Sequence, residues 1–426
     1  MTADSEERPT RVLVVPHNFE LGGSQINALE LIGEVARDPG YEVIVYAPRG
    51  ELVERARRIG VELHLTELRE AALSLRRIRE LRKLIRTRRV DVIHTYEWVP
   101  TVDAVFAVGT GTGAPLVSTI LSMDYPYFIP SAVPLVLGTQ QLVDRARNEG
   151  RTARLIEPPV DTEEFRPDAC EPAEIAAARA ECGAEVGDDL VVVVGRLAQA
   201  LKLEGLLTLV EAVERLGRIR PIRLAIVGDG PERSAVRAAV DKANAHAGRN
   251  LISLLGSRPD PLRYYLAADI AVGMGGSALR AMAVAKPLLV QGEKGFWAMA
   301  DEQSLPLCLE HGWYGIGDGV GAGATERCTA ELTRMLALDE SERAALGRFG
   351  RDLVTQRYSL QTAGRELRDV YADVAAMHRQ SAVTRFVASI RLVVELLKVR
   401  ISTRFPAIQR GVRAIRARST TQQAGA

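Results

Sequence analysis

Arg196 and Lys202 stand in the stretch GRLAQALKLEG, directly after the apolar run LVVVV, with the lysine at the start of a helical pattern. Two cations beside a helix start, at the carboxyl end of a strand, suit a diphosphate: a guanidinium grips two oxygens and an ammonium adds a point charge. As solvated surface groups they would contribute little to folding, so it is their position that singles them out. Further glycine turns close strands in the same half of the chain. They occur in IVGDGPE, at Gly256 and Ser257 after LISLL, and in GMGGS, which sets Gly275, Gly276 and Ser277 at the head of a small-residue helix. Near the N-terminus, Gly22 and Gly23 precede Ser24, which has the side chain of a helix N-cap, and Ile26, Leu29, Ile32 and Val35 then mark a buried stripe. Bare backbone donors at a helix start attract anions, although a glycine pair serves a tight turn equally well.

These residues need a scaffold that gathers strand ends. Short apolar runs alternate with helix-period segments from RVLVV through EVIVY, VELHL, VDVIH and PLVSTIL to ARLIEPP, as expected of a parallel sheet. After an Ala/Glu-rich segment the pattern restarts with LVVVVG, IRLAIVG, LISLLG, DIAVG and PLLVQG. Two doubly wound units in series are expected, with the linker near Phe165 to Glu171 and closing helices near 341–356 and 360–377. GTGTGAP imitates a dinucleotide fingerprint, but it ends a helix and leads into a strand, the reverse of the required order.

Bulk properties agree with two ordinary cores: 426 residues are 47% hydrophobic, and 55 basic residues face 54 acidic ones for a net charge of +1. No global basic field points to nucleic acid. The polar, acidic start MTADSEERPTR is neither a secretory signal nor a transit peptide, and no apolar run is long enough to span a membrane. Four scattered cysteines and six scattered histidines offer no metal-ligand spacing, so no structural metal is expected and a cytoplasmic setting is.

Taken in order, the GG of ELGGSQINALEL, DVIHTYEW, PPVDTEEFRP, GRL with a following lysine, VGDGPE and AADI…LRAMAVAKPLLV resemble the motifs of glycosyltransferase family 4 over roughly residues 11–375. The resemblance implies the GT-B fold: an α/β chain of two facing Rossmann-like domains with a C-terminal helical extension. Its boundaries would be an acceptor domain over 1–170, a donor domain over 171–358, a closing helix over 359–380 that returns toward the N-terminal domain, and a tail over 381–426. It implies retaining transfer of a sugar, of the hexosyl type, from a nucleoside-diphosphate sugar, with no cofactor and no metal. Gly22 and Gly23 would face the donor diphosphate from one domain, and Arg196 and Lys202 would stabilise the leaving diphosphate from the other. Gly256, Ser257, Gly275, Gly276, Ser277, Arg280 and Glu293 complete the expected donor site. His94, Glu97 and Asp124 are the acceptor candidates, with Tyr96 and the loop MDYPYF beside them.

The chain departs from the family at one decisive place. Where the family carries two glutamates, the second of which binds the donor ribose, this chain has Val272 and Arg280. Arginine has no acceptor atoms for a ribose hydroxyl. Either Arg280 takes up a phosphate, or Glu293 supplies the carboxylate from the next strand's end, or turnover is weak. A second departure is SMDY, where the family often has a histidine. The alternatives to sugar transfer are therefore a catalytically weak GT-B protein that binds a nucleotide or a partner, and a GT-B enzyme that couples non-sugar units. From Arg385 onward the bases Arg391, Lys398, Arg400, Arg404, Arg410, Arg413, Arg416 and Arg418 face Glu395 alone, while Phe386, Ile390, Val394, Leu397 and Ile401 recur at helical spacing. Such a segment suits an anionic membrane at the inner face, where a lipid-linked or cell-envelope acceptor would lie, or a helix packed on the N-terminal domain.

Overall fold

A computed structural model describes residues 8–377 apart from 21, 69–72, 110–112, 123 and 259, and then 387, 389–396 and 398. Contacts divide the described residues into two units. One comprises those of Met1–Leu137, Leu142–Arg154 and Leu367–Ala426, the other those of Gly138–Gln141 and Leu155–Glu366.

The first unit alternates strand and helix: β1 (Thr10–Val15), α1 (Gly23–Ala36), β2 (Tyr41–Pro48), α2 (Val53–Ile59), β3 (Glu62–Thr66), α3 (Leu75–Thr87), β4 (Val92–Tyr96), α4 (Trp98–Ala107) and β5 (Leu116–Ile120). β6 (Leu135–Leu137), α5 (Gln140–Asn148) and β7 (Ala153–Leu155) follow. Seven strands pair in the order β3-β2-β1-β4-β5-β6-β7, parallel throughout β1 to β6. β4 and β5 are buried along their whole length, because helices cover both faces of a parallel sheet.

In the second unit come α6 (Pro172–Glu181), β8 (Asp189–Val194), α7 (Glu204–Leu216), β9 (Ile222–Val227), α8 (Arg233–Ala247), β10 (Ile252–Gly256), α9 (Leu262–Ala267), β11 (Ile270–Gly273), α10 (Gly276–Ala283), β12 (Leu288–Gln291) and β13 (Trp297–Met299). α11 (Leu305–His311), α12 (Ala322–Ala337), α13 (Glu340–Arg357) and α14 (Leu360–Ala376) complete the chain's named elements. The sheet order is β10-β9-β8-β11-β12-β13, and β13 alone of these pairs antiparallel. α7 shows why such a helix docks: Leu206, Leu209, Val210, Val213 and Leu216 form one buried stripe against Val191, Val193 and Ile226. Each such side chain contributes about 1.5–3 kcal/mol by leaving water.

Both sheets reverse their strand order once, at β1/β4 and at β8/β11. Ligands of doubly wound sheets bind outside the strand ends at such reversals.

Candidate functional site

At the β8/β11 reversal the strand ends open into a recess that is continuous with solvent. Gly195, Arg196, Lys202, Met274, Ser277 and Gln291 line it. Its floor is knitted from backbone. Gly195 N donates to Val227 O at 3.0 Å, Leu197 N to Asp229 O at 2.9 Å, and Glu232 N to Leu197 O at 3.1 Å. Gly228 (φ 152°) lies so close to this strand end that a Cβ there would stand 1.9 Å from Gly195 O. The turn VGDG thereby fixes the backbone that carries Arg196.

Arg196 is exposed and Lys202 half-buried, and among the described residues neither side chain has a hydrogen bond or ion pair. Burial lowers the Lys202 ammonium below the usual lysine value, and the nearby Arg196 guanidinium lowers it further. Like charges that converge without a carboxylate leave a site whose electrostatics are incomplete without an anion. Gln291 donates from Nε2 to Lys202 O at 3.2 Å and so braces the lysine's turn. Sequence reasoning passed over Gln291, although the rule that directed attention to strand ends also points to this last residue of β12.

The remaining expected donor residues are placed as follows. Ser277 lines the recess, but its hydroxyl is engaged within its own loop, donating to Met274 O at 2.9 Å. Gly275 and Gly276 form the start of α10, where Gly275 N donates to Trp313 O at 2.8 Å. Arg280 does not line the recess. Its Cζ lies 5.4 Å from the centre of the Phe165 ring and Nη1 reaches back to Gly276 O at 3.4 Å. Val272, at the first glutamate position, is fully buried. Glu293 likewise stands outside the recess and accepts from the Tyr314 hydroxyl, which burial and this carboxylate hold protonated well above the usual range. Gly256 ends β10 and Ser257 is exposed just beyond it, neither of them lining the recess.

In the first unit, Gly22 is the N-cap of α1 in extended geometry (φ −163°, ψ 159°), and a Cβ on Gly23 would meet nothing within 4 Å. A Cβ on Gly22 would stand 2.3 Å from Oε1 of the buried Gln25, so Gly22 makes room for that side chain, whereas Gly23 is demanded by no contact. Ser24 does not cap α1 as its type suggested. Its hydroxyl donates instead to Glu97 at 3.4 Å, a tertiary partner that local sequence does not reveal.

The acceptor candidates separate sharply. His94 is fully buried, with Nδ1 2.7 Å from the Tyr371 hydroxyl and Nε2 2.7 Å from Thr119 Oγ1. Tyr96 is equally buried. This corrects the expectation for His94: it is a core group that no acceptor reaches. Asp124 is exposed and pairs with Arg145, whose guanidinium lies 4.3 Å above the Tyr125 ring. Glu97 is 7% exposed and caps the carboxyl end of β4, accepting from Leu121 N at 3.0 Å and Ser122 Oγ at 2.7 Å. Met123 of MDYPYF lies outside the described residues, as do Arg385, Phe386, Leu397 and the chain from residue 399.

Comparison with known proteins bears on this geometry. The model described as Glycosyltransferase Family 4 matches residues 21–163, and that described as Glycosyl transferases group 1 matches residues 188–307, together more than half of the chain. The chain belongs to the family 4 type of GT-B glycosyltransferase. It is a divergent member, with Val272 and Arg280 in place of the paired glutamates. No curated protein matches it. Among solved structures, a glycosyltransferase from Rickettsia africae is 15% identical with a TM-score of 0.72, the match covering 87% of this chain and 100% of that one. Anabaena Alr3699/HepE, solved in complex with UDP and glucose, is 17% identical with a TM-score of 0.64, covering 85% and 99%. An E. coli structure described as trehalose-6-phosphate bound with UDP-2-fluoro glucose is 12% identical with a TM-score of 0.62, covering 87% and 100%. At these identities the likeness shows the GT-B fold alone, and it agrees with the two doubly wound sheets of this glycosyltransferase.

Proposed function

We propose that this glycosyltransferase moves a hexosyl group from a nucleoside-diphosphate sugar to an acceptor hydroxyl, with retention at the anomeric carbon and without a metal ion or other cofactor. The observation that carries the reading is the pair Arg196 and Lys202, two cations without an anionic partner among the described residues, on one recess at the β8/β11 reversal. As the bond from the anomeric carbon to the diphosphate breaks, negative charge grows on the leaving oxygen, and fixed cations there lower the barrier. Losing one such contact costs on the order of 3 kcal/mol in the transition state. The acceptor oxygen bonds to the anomeric carbon on the face the diphosphate leaves, and its proton passes to the departing diphosphate oxygen. The uridine nucleotides in the Anabaena and E. coli relatives make UDP the donor nucleotide we favour.

Calorimetric titration with UDP, GDP and their sugars, repeated on Arg196→Ala, tests the reading. Saturable binding of one nucleotide that weakens at least tenfold in the variant is the expected result, and absence of binding by any of them would overturn it.

A second reading rests on Arg280. With its guanidinium over Phe165 and Val272 in the core, no carboxylate stands at either family position, which favours a protein that binds the nucleotide and turns it over slowly. Single-turnover measurement with a bound UDP sugar separates the two.

We also propose that the protein works at the inner face of an anionic membrane. Val387, Ile390 and Val394 are 41–49% exposed on a helical segment whose Leu392 is buried, and the sequence from 399 on carries six arginines and no acid. No helix of the described residues is long and apolar enough to cross a membrane. Cosedimentation with phosphatidylglycerol vesicles, compared with phosphatidylcholine ones, is the check: binding only to the former supports the proposal.

A further inference from the structure

The side chains of the recess at the β8/β11 reversal supply hydrogen-bond donors but scarcely an acceptor. Arg196 and Lys202 bring N–H groups alone. The Ser277 hydroxyl is engaged inside its own loop, accepting from Met274 N at 3.1 Å and donating to Met274 O at 2.9 Å. That leaves Gln291, which is 3% exposed and lines the recess together with Lys202.

The Gln291 amide is held in one orientation. Lys202 O can only accept, so the group that faces it at 3.2 Å must be the nitrogen, Nε2, and Oε1 is turned the other way. Gly205, in the first turn of α7, permits this packing, since a Cβ there would stand 2.4 Å from Nε2 and 2.5 Å from Cδ. Among the described residues Oε1 accepts no hydrogen bond, and it is not sealed from solvent. Side-chain oxygens in protein interiors are nearly always satisfied, so one that is oriented and left open stands ready for a ligand's donor.

Taken together, the recess holds two cations that call for an anion and one neutral oxygen that calls for a hydroxyl. The two positions where the family carries glutamates hold Val272, which is buried, and Arg280, which has no acceptor atom. An amide near Lys202 also differs from a carboxylate in charge: it accepts a hydrogen bond without neutralising the ammonium, which stays available to phosphate. We propose that Gln291 is a specificity-determining residue of the donor site, its Oε1 accepting a hydrogen bond from a hydroxyl of the phosphate-anchored ligand. Ribose and the transferred sugar are the two sources of such a hydroxyl. The inference rests on the nucleoside-diphosphate-sugar reading for its phosphate anchor, and it adds a requirement for ligands that keep both phosphates and lack one hydroxyl.

The test removes the hydroxyl from the ligand and the oxygen from the protein in turn. Calorimetric titrations of the full chain compare UDP with 2′-deoxy-UDP and 3′-deoxy-UDP, and UDP-glucose with its 2-, 3-, 4- and 6-deoxy forms. They are run on the native protein and on Gln291→Met, which keeps the length of the side chain and loses both polar ends. In the native protein one deoxy form is expected to bind about fivefold or more weakly than its parent, and in Gln291→Met that ratio should fall below about twofold. Which deoxy form is affected tells ribose from sugar. Loss of the Nε2 bond to Lys202 O by itself would weaken every ligand alike and leave the ratio intact, so the ratio separates ligand recognition from bracing. Gln291→Leu makes the same deletion if Gln291→Met does not fold. Equal binding of every deoxy form and its parent by the native protein, or a preference that survives unchanged in the variant, overturns the proposal and leaves the donor reading standing. Absence of binding by both UDP and UDP-glucose overturns the donor reading, and this inference with it.

Discussion

Nδ1 of His94 and the hydroxyl of Tyr371 lie 2.7 Å apart although 277 residues separate them in the chain. The contact joins β4 to α14 within the first unit, and the ring of Tyr371 also stands edge-on to the imidazole at 5.5 Å. Burial keeps this histidine neutral, lowering it from 6.5 to about 3.

The sign of the consequence follows from proton counting. The unfolded chain takes up a proton near pH 6.5 that the folded chain refuses until about 3, so the His94 contribution is complete above 6.5 and is lost as pH falls. The slope is about 1.4 kcal/mol per pH unit. Thermal melts between pH 6.5 and 5, above the range where carboxylates titrate, are expected to show a falling Tm, with a flatter profile in His94→Gln. A native profile already flat across that window would refute the assignment.

Lys202 gives the donor site a pH dependence of its own. Because burial and Arg196 lower its ammonium, nucleotide affinity should begin to fall on the alkaline side earlier than an ordinary lysine would allow. In Lys202→Arg the charge persists to far higher pH, and the fall should vanish. Calorimetric titrations with UDP from pH 7 to 10 read this directly, and identical curves for the two proteins would exclude Lys202 from the site.

Gly228→Ala tests the backbone that carries Arg196. Its Cβ would stand 1.9 Å from Gly195 O, so the strand end must move. We expect a stability loss of about 1–3 kcal/mol and a tenfold or greater loss of UDP affinity, measured by denaturant titration and calorimetry. Loss of stability alone would mean that the recess tolerates the shift.

Arg280 should behave differently from Arg196. A cation over Phe165 is worth about 0.5–1 kcal/mol, so Arg280→Met is expected to lower stability by that order while UDP affinity stays within threefold. An affinity loss comparable to that of Arg196→Ala would show instead that the guanidinium leaves Phe165 for a phosphate.

Much of the scaffold was legible because each long strand is an apolar run closed by a breaker, and the restart of that pattern announced a second sheet. β6 and β13, of three residues each, were not read as strands, although the equally short β7 was marked by ARLIEPP. The recess was half legible: Arg196 and Lys202 follow a strand, but that Gln291 joins them depends on the pairing of β12 with β11. Ser24 and His94 went astray for one shared reason. Each takes a partner from a distant segment, Glu97 in one case and Tyr371 in the other, and such partners overrule local preference.

α14 is divided, with its residues to Glu366 grouping with the second unit and those from Leu367 with the first. On the ribosome this imposes an order. The strand that carries His94 emerges early, yet its covering helix is made only after the entire second unit. At roughly 5–20 residues per second the 277 residues from Thr95 to Tyr371 take on the order of 15 to 55 seconds. Throughout that interval the nascent first unit holds its sheet with one flank bare to water, a substrate for chaperones until its final piece is synthesised.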